Sequence, residues 1–136
     1  MTRHIVVVNS QLGTATILGI MLERNGFTVL RIDNALAALK MMEEFTPDAF
    51  VISAALPGIN GIELCRQIRL QPCSKRIPVI ILAARGDLRE IEQGFEAGAD
   101  DCLIQPVLCH DLLMAIQRVL QFVEHTQCTA VDCTQI

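Results

Sequence analysis

The feature that most constrains the fold is a short apolar run followed closely by a tight turn. Residues 49–53 read Ala-Phe-Val-Ile-Ser, and Pro57-Gly58 comes soon after them. A run this short, without polar alternation, is typical of a central parallel strand that is covered on both faces. The sequence therefore predicts a buried strand that ends at Ser53, at the edge where open α/β sheets bind their ligands.

Strand-like and helical segments alternate along the rest of the chain. The predicted strands are 4–8, 27–32, 49–53, 79–82 and 102–104, and the predicted helices start near residues 13, 34, 60 and 87 and after Pro106. This alternation predicts an α/β fold: a (βα)5 doubly wound domain with a five-stranded parallel sheet. Right-handed crossovers favour the flavodoxin-like strand order 2-1-3-4-5.

Several helix details follow from residue spacing. Asn60 with Glu63, and Asp87 with Glu90, have the spacing of capping boxes at the third and fourth helices. The expected core face of the fourth helix is Leu88, Ile91 and Phe95. The expected core face of the last helix is Leu112, Ile116, Val119, Leu120 and Val123.

Length and composition indicate a single domain. The chain has 136 residues, of which 51% are hydrophobic, so we expect a buried core in residues 1–125. Residues 126–136 lack periodicity and are predicted to be a C-terminal tail or the start of a linker.

Charge and hydropathy exclude several partner classes. The net charge of -4 gives no electrostatic reason to bind nucleic acid. Apolar runs such as 17–22 are too short to span a membrane, and the N-terminus does not resemble a signal peptide. A cytoplasmic protein is the expectation.

The six cysteines do not form a metal or disulfide pattern. No C-x-x-C pair is present, and Cys109 is directly followed by His110, which suits no chelate. We therefore expect reduced cysteines with structural roles and no metal site.

Two motifs point to a known family. Leu-Pro-Gly-Ile-Asn-Gly over 56–61 and Gly-Ala-Asp-Asp…Gln-Pro over 98–106 resemble the response-regulator receiver domain. The resemblance covers about residues 4–123 and implies a phosphoacceptor aspartate that binds magnesium together with neighbouring carboxylates.

The chain departs from that family at each chemical position. Ser53 replaces the phosphoacceptor, and Asn9 and Ser10 replace the acidic pair. The hydroxyl and aromatic switch positions hold Ala83 and Cys102, and the lysine position holds Gln105.

These departures predict a degenerate pocket. Magnesium prefers carboxylate oxygens, and serine is a poor nucleophile without an adjacent base, so we expect magnesium binding and phosphorylation to be lost. Because the carboxylates and the lysine are both absent, no buried charge is left without a partner of opposite sign. The sequence thus indicates a non-enzymatic pseudo-receiver without cofactors or catalytic residues. It would act in two-component (phosphorelay) signalling by protein–protein interaction with a kinase, an output domain or a second copy.

The family resemblance also indicates a docking face. Receiver domains commonly pair through the fourth helix, fifth strand and fifth helix. The candidate interface residues there are Arg85, Arg89, Asp101, Asp111 and Arg118. Their mixed signs suit self-complementary pairing, although an ordinary solvated face has the same composition.

Two other functions fit parts of the sequence. Ser10–Thr16 is similar to the phosphate-binding loop of flavodoxin-type FMN domains, but Leu12 replaces a hydroxyl residue and the chain has no Trp or Tyr to stack on a flavin. Redox sensing by Cys102, with Cys109 nearby, would require a lowered thiol pKa.

Overall fold

Five parallel strands form one sheet with helices on both faces. The computed structural model describes residues 3–84 and 87–134, with residues 122–134 as backbone only. The strands are β1 (His4–Val8), β2 (Thr28–Ile32), β3 (Ala49–Ser53), β4 (Val79–Ala83) and β5 (Asp101–Ile104). The helices are α1 (Leu12–Glu23), α2 (Ala35–Met41), α3 (Gly61–Leu70), α4 (Leu88–Glu96) and α5 (Cys109–Thr134). The strand order β2-β1-β3-β4-β5 confirms the predicted fold class.

Strand β3 joins the two hydrophobic cores of the domain. Phe50 and Ile52 lie in the core that α2 and α3 cover, whereas Ala49 and Val51 lie in the core that α1 and α5 cover. Successive side chains of a strand point to opposite faces, so a strand buried on both sides needs an uninterrupted apolar sequence. This requirement explains the apolar run over 49–53.

The loop after β3 returns onto the end of its own strand. The N–H of Gly61 donates to the carbonyl of Ala54 at 2.9 Å. A Cβ atom added at Gly61 would lie 2.0 Å from the carbonyl oxygen of Ser53, so α3 starts in direct backbone contact with the strand. Gly58, with a φ of 73°, makes the turn between them.

Arg69 of α3 binds the loop before β5, at the opposite end of the sheet. Its Nε donates to the carbonyl of Gly98 at 2.9 Å, and its Nη2 donates to Asp100 Oδ2 at 2.7 Å. The same Asp100 oxygen accepts from the N–H of Val79, the first residue of β4, at 2.8 Å. The Gly-Ala-Asp motif, which directly precedes β5, is therefore hydrogen-bonded to both α3 and β4.

The predicted caps form, but neither capping box closes. Asn60 Oδ1 accepts from the N–H of Glu63 at 2.9 Å, and Asp87 Oδ1 accepts from the N–H of Glu90 at 3.2 Å. Glu63 binds side chains of the next helical turn instead of reaching back. Glu90 does reach back, but to the N–H of Ala84 at 2.7 Å.

The predicted core face of α4 is wrong at Leu88 and Phe95, and Ile91 is only half-buried. Leu88 is 70% exposed and Phe95 49% exposed, while Gly94 faces the sheet. A Cβ at Gly94 would lie 2.9 Å from Cys102 Sγ, so the helix approaches the sheet through its smallest residue. The apolar stripe of α4 is consequently displaced from the core.

Helix α5 continues beyond its predicted end near residue 125. It runs to Thr134 because the segment from Cys109 onward contains neither Gly nor Pro to interrupt it. Four residues of its predicted core face are buried, namely Leu112, Ile116, Val119 and Leu120, and the side chain of Val123 lies outside the described part. The division into a domain and a tail at residue 125 stays a prediction.

A helix that crosses a bilayer must be both long and apolar. None of the helices within residues 3–84 and 87–134 meets both requirements.

The contact between Gly61 and β3 predicts a marked sensitivity to substitution. We expect Gly61→Ala to lower the free energy of unfolding by about 3 kcal/mol, because the added methyl group must displace backbone atoms. Gly13→Ala in α1 is the control, since its Cβ would meet nothing within 4 Å. That change is expected to leave stability unchanged or raise it by up to about 1 kcal/mol. Equal urea denaturation midpoints for the two variants would contradict this.

Candidate functional site

The carboxyl ends of four neighbouring strands bring the predicted site residues to one edge of the sheet. Val8 pairs with Ile52, which places Asn9 beside Ser53 at the ends of β1 and β3. The N–H of Gln105 donates to the carbonyl of Ala83 at 2.9 Å, which joins the ends of β4 and β5. The topology therefore brings these positions to one edge of the sheet, and their roles stay predictions.

Ser53 lies inside the β3–α3 turn. Ser53 is only 5% exposed, and its Oγ donates to the carbonyl of Ala55 at 3.4 Å. The backbone of Gly61 covers its carbonyl side. The hydroxyl is thus a buried, hydrogen-bonded group.

Asn9 is the second buried polar residue of this edge. It is 4% exposed, and its Oδ1 accepts from the N–H of Gln11 at 2.9 Å. That bond orients the amide so that Nδ2 is a donor on the other side. Nδ2 is buried and has no hydrogen-bond partner within the described residues.

Asn9 and Ser10 line a different cavity from the one that Gln105 lines. Asn9 and Ser10 line a cavity of about 620 Å³ between α1 and the end of β2. Gln105 lines another of about 430 Å³, together with Gln11 and Thr14 of the α1 start. Their sequence positions alone did not indicate this separation, which depends on the path of α1.

No acidic cluster accompanies these residues. Among the described side chains, those of residues 3–84 and 87–121, no three His, Cys, Asp or Glu are grouped as a metal site would require. The side-chain oxygens of Asn9, Ser10, Ser53 and Gln105 are neutral amides and hydroxyls, and Asp33 is a carboxylate that lines the same cavity as Asn9.

The comparison with known protein families agrees with this architecture. The profile of the family described as "Response regulator receiver domain" matches residues 5–117, which is most of the chain. The chain belongs to the response regulator receiver domain family. Its fold and the resemblance stated from the two motifs are thereby confirmed.

Individual relatives support the same family. The chain is 36% identical over 124 residues to the phosphate regulon transcriptional regulatory protein PhoB of Rhizobium meliloti, covering 89% of this chain and 53% of that protein. It is 31% identical over 121 residues to the DNA-binding response regulator MtrA of Mycobacterium tuberculosis, covering 89% and 52%. The receiver domain thus spans about half the length of these curated relatives.

Solved structures resemble the domain along nearly its whole length. A protein from Chloroflexus aurantiacus described as a response regulator has a TM-score of 0.87 and 31% identity, covering 89% of this chain and 99% of that chain. The receiver domain of the sensor histidine kinase PA1611 from Pseudomonas aeruginosa has a TM-score of 0.82 and 26% identity, with the same two coverages. That structure has a magnesium ion coordinated in the active site cleft.

The two switch positions of this receiver domain are occupied by small side chains. Ala83 is fully buried, and Cys102 Sγ donates to the carbonyl of Ile91 in α4 at 3.7 Å. Burial raises the pKa of the Cys102 thiol to about 12, with a further contribution from the carboxylate of Asp101. A thiol of this kind packs between α4 and β5 as an apolar group, which is the reverse of what redox sensing needs.

The four cysteines with described side chains are free. Cys65, Cys73, Cys102 and Cys109 form no disulfide, and burial raises the pKa of Cys65 to about 11. The side chains of Cys128 and Cys133 lie outside the described part.

The segment proposed as a phosphate-binding loop is mostly helical. Helix α1 starts at Leu12, so Thr14 and Thr16 lie within it. Thr14 Oγ1 donates to Gln11 Oε1 at 3.2 Å, and Thr16 Oγ1 accepts from Arg31 at 3.4 Å. These hydroxyls already have partners, and this weakens the FMN alternative.

The described candidate interface residues include one internal pair, and their role as an interface stays a prediction. Arg118 Nη1 lies 3.7 Å from Asp101 Oδ2, so these two residues form an ion pair within the domain. Arg89 and Asp111 are exposed on α4 and α5, and Arg85 lies outside the described residues.

This surface also has an apolar part, which the spacing of its residues in the sequence does not indicate. Four large apolar residues are exposed on α4, β5 and the start of α5: Leu88, Phe95, Ile104 and Leu108. We call this surface, with Arg89, Asp101, Asp111 and Arg118, the α4–β5–α5 face. Leu88 and Phe95 were assigned to the core because an apolar stripe on a helix usually faces inward.

The raised thiol pKa values predict slow alkylation of the buried cysteines. At pH 8 in the native state, we expect iodoacetamide to modify Cys65 and Cys102 at least about 100-fold more slowly than exposed Cys73, since only the thiolate reacts. Mass spectrometry of peptides measures this. In denaturant the rates should converge. Native alkylation of Cys102 as fast as that of Cys73 would support a reactive sensor thiol instead.

Proposed function

We propose that this receiver domain signals by protein–protein interaction without being phosphorylated. The observation that carries this proposal is the neutral chemistry of its sheet edge. Asn9, Ser10, Ser53 and Gln105 occupy the positions where the family has carboxylates and a lysine, and none of them is charged.

The donor set does not fit magnesium. This hard cation binds mainly carboxylates and phosphate oxygens. Here Asn9 Oδ1 already accepts from Gln11, its Nδ2 is a donor, and the Ser53 hydroxyl lies inside its turn. The neutral oxygens left over supply no Coulombic attraction, so the proposal includes the loss of the ion and derives no step through it.

Phosphoryl transfer to this edge also lacks its chemical groups. Ser53 is buried without a base among its hydrogen-bond partners, and serine needs such a base to act as a nucleophile. Gln105 offers no positive charge to a phosphoryl group, and Ala83 offers no hydroxyl. We therefore take the domain to be non-enzymatic, as receiver domains of response regulators generally are.

The α4–β5–α5 face is the surface that we propose to carry the signal. Leu88, Phe95, Ile104 and Leu108 are exposed on α4, β5 and the segment just before α5, elements that also carry charges of both signs. Apolar residues together with a polar rim are typical of a small protein interface. Alternating signs allow a second copy to pair with the same face. A kinase or an output domain of the pathway is the other class of partner.

The rest of the proposal follows from charge and from the relatives. MtrA is described as DNA-binding, but this receiver domain covers only about half of that protein and carries a net charge of -4. We propose no nucleic-acid contact through it. The cytoplasmic location, without membrane contact, stays a prediction from the sequence.

Magnesium titration tests the neutral pocket. Isothermal calorimetry of the domain with MgCl2 at constant ionic strength is expected to show no saturable heat. The matched variant restores the family's charges by Asn9→Asp, Ser10→Asp, Ser53→Asp and Gln105→Lys, and it is expected to bind the ion because carboxylate ligands return. Saturable binding by the unmodified domain would sink the proposal.

Apolar-to-polar substitutions test the α4–β5–α5 face. Sedimentation velocity at rising concentration is expected to show self-association that Leu88→Ser with Phe95→Ser removes, because these side chains are exposed and their loss costs the fold little. Leu70→Ser, at an equally exposed apolar residue of α3, is the control and should leave association unchanged. Reversal of Arg89 and Asp101 should weaken it too. Unchanged oligomeric state in all variants would contradict the assignment.

A further inference from the structure

We infer that Glu90 is a positioning residue: its carboxylate latches the start of α4 onto the end of β4 and so holds the α4–β5–α5 face in one fixed arrangement. The inference deepens the proposed function and rests on it, since that face is the surface proposed to carry the signal. A permanent internal carboxylate would then set the position of α4, in a domain whose switch positions hold Ala83 and Cys102.

Three hydrogen bonds join Ala84, Asp87 and Glu90 in a closed ring. The N–H of Ala84 donates to Glu90 Oε1 at 2.7 Å, and the carbonyl of Ala84 accepts from the N–H of Asp87 at 3.2 Å. Asp87 Oδ1 in turn accepts from the N–H of Glu90 at 3.2 Å. Both backbone polar groups of Ala84 are therefore bound by the N-cap and the first turn of α4.

The bond from Ala84 to the carboxylate is the charged link between the helix and the strand. Ala84 is exposed and directly follows Ala83, the last residue of β4 that pairs with β5. A hydrogen bond to an ionised acceptor is shorter and stronger than one between neutral groups. Glu90, which is half-buried, therefore supplies the strongest single bond of the ring.

Helix α4 has little apolar packing to fix its position. Of its residues, all of them described, only Gly94 is buried, whereas Ile91 is half-buried and Leu88 and Phe95 are exposed. The close contact of Gly94 with Cys102 brings the helix near the sheet but supplies no side chain to fix its angle. Helices usually owe their position to a packed apolar face. The orientation of α4 therefore depends heavily on the hydrogen bonds at its start.

The ring encloses two members of the α4–β5–α5 face. Leu88 and Arg89 lie between Asp87 and Glu90 in the sequence, and both are exposed. The N–H of Arg89 also donates to Asp87 Oδ1, at 3.1 Å. Opening the bond from Ala84 to Glu90 would release the start of α4, and both members of the face would move relative to β5. A partner that binds only the latched arrangement would then lose affinity in proportion to the latched fraction.

Two variants at one position separate the acceptor from the charge. Glu90→Ala removes the acceptor, whereas Glu90→Gln keeps a neutral acceptor oxygen on a side chain of the same length. Glu92→Ala is the matched control, because Glu92 is an exposed glutamate of the same helix, and its replacement changes charge and helix propensity in the same way. Urea unfolding of each variant checks that the fold is kept.

Hydrogen exchange of the Ala84 amide reports on the latch, because this N–H donates to a side chain and not to another strand. In the ¹⁵N-labelled domain, we expect its exchange to be at least about tenfold faster in Glu90→Ala, intermediate in Glu90→Gln and unchanged in Glu92→Ala. The amide proton of Ala84 should also shift upfield when its carboxylate acceptor is lost. Exchange broadening is expected at residues 87–91 and not at 49–53, because the cores do not depend on this bond.

Self-association connects the latch with the face. Under the sedimentation conditions that reveal pairing of the unmodified domain, Glu90→Ala is expected to raise the dissociation constant about threefold or more, because the competent fraction falls. Glu90→Gln, which keeps an acceptor for the N–H of Ala84, should restore most of the affinity.

Several outcomes would overturn the inference. These are unchanged exchange at Ala84 in Glu90→Ala, equal acceleration by Glu92→Ala, or acceleration that spreads equally to residues 49–53 as a general loss of stability. Faster exchange at Ala84 with unchanged association would overturn the link between the latch and the face.

The latch and the proposed function fail separately. If Glu90→Ala releases Ala84 but the unmodified domain does not self-associate, the latch stands and pairing through the α4–β5–α5 face fails. If the domain associates and Glu90→Ala changes neither the exchange at Ala84 nor the association, the latch fails and the proposed function stands.

Discussion

The burial of β3 on both faces is the constraint on which the rest of the domain depends. Its side chains alternate between the two cores, and its neighbours β1 and β4 are held by it in register. At its end, Gly61 packs against the carbonyl of Ser53 so closely that no side chain fits. The strand end, the turn and the start of α3 are therefore one rigid unit, whatever residue occupies position 53.

The proposal that the domain keeps its family's fold without its family's charges relies on a separation between scaffold and side-chain chemistry. The retained motif residues connect elements: Gly61 packs on the backbone of β3, Gly98 accepts a hydrogen bond from Arg69, and Asp100 accepts from the first N–H of β4. The positions that we propose to be degenerate are Asn9, Ser10, Ser53, Ala83 and Gln105, whose side chains make no hydrogen bond between elements of the described part. Neutral residues at both the carboxylate positions and the lysine position leave no buried charge without a partner of opposite sign.

The sequence predicted much of this because its strongest signals are local. The apolar run of β3, the Asn60 cap and the motif glycines are each recognisable within a few consecutive residues, even where their contacts, such as that of Gly98 with Arg69, join distant parts of the chain. The errors arose where distant packing decides. Gly94 lets α4 approach Cys102, which turns Leu88 and Phe95 outward, and no periodicity reveals this. The internal ion pair of Arg118 with Asp101, and the unpaired Nδ2 of Asn9, likewise depend on how separate elements meet.

The central claim is that this sheet edge no longer performs phosphate chemistry, and a phosphoryl mimic tests it most directly. Beryllofluoride with magnesium is added to the ¹⁵N-labelled domain, and the amide signals around Ser53 and Gln105 are followed. The account predicts no change at these residues, because the positions where the family has carboxylates and a lysine hold Asn9, Ser10, Ser53 and Gln105, which are neutral. A saturable, magnesium-dependent shift there would contradict it and show that the edge still binds phosphoryl groups.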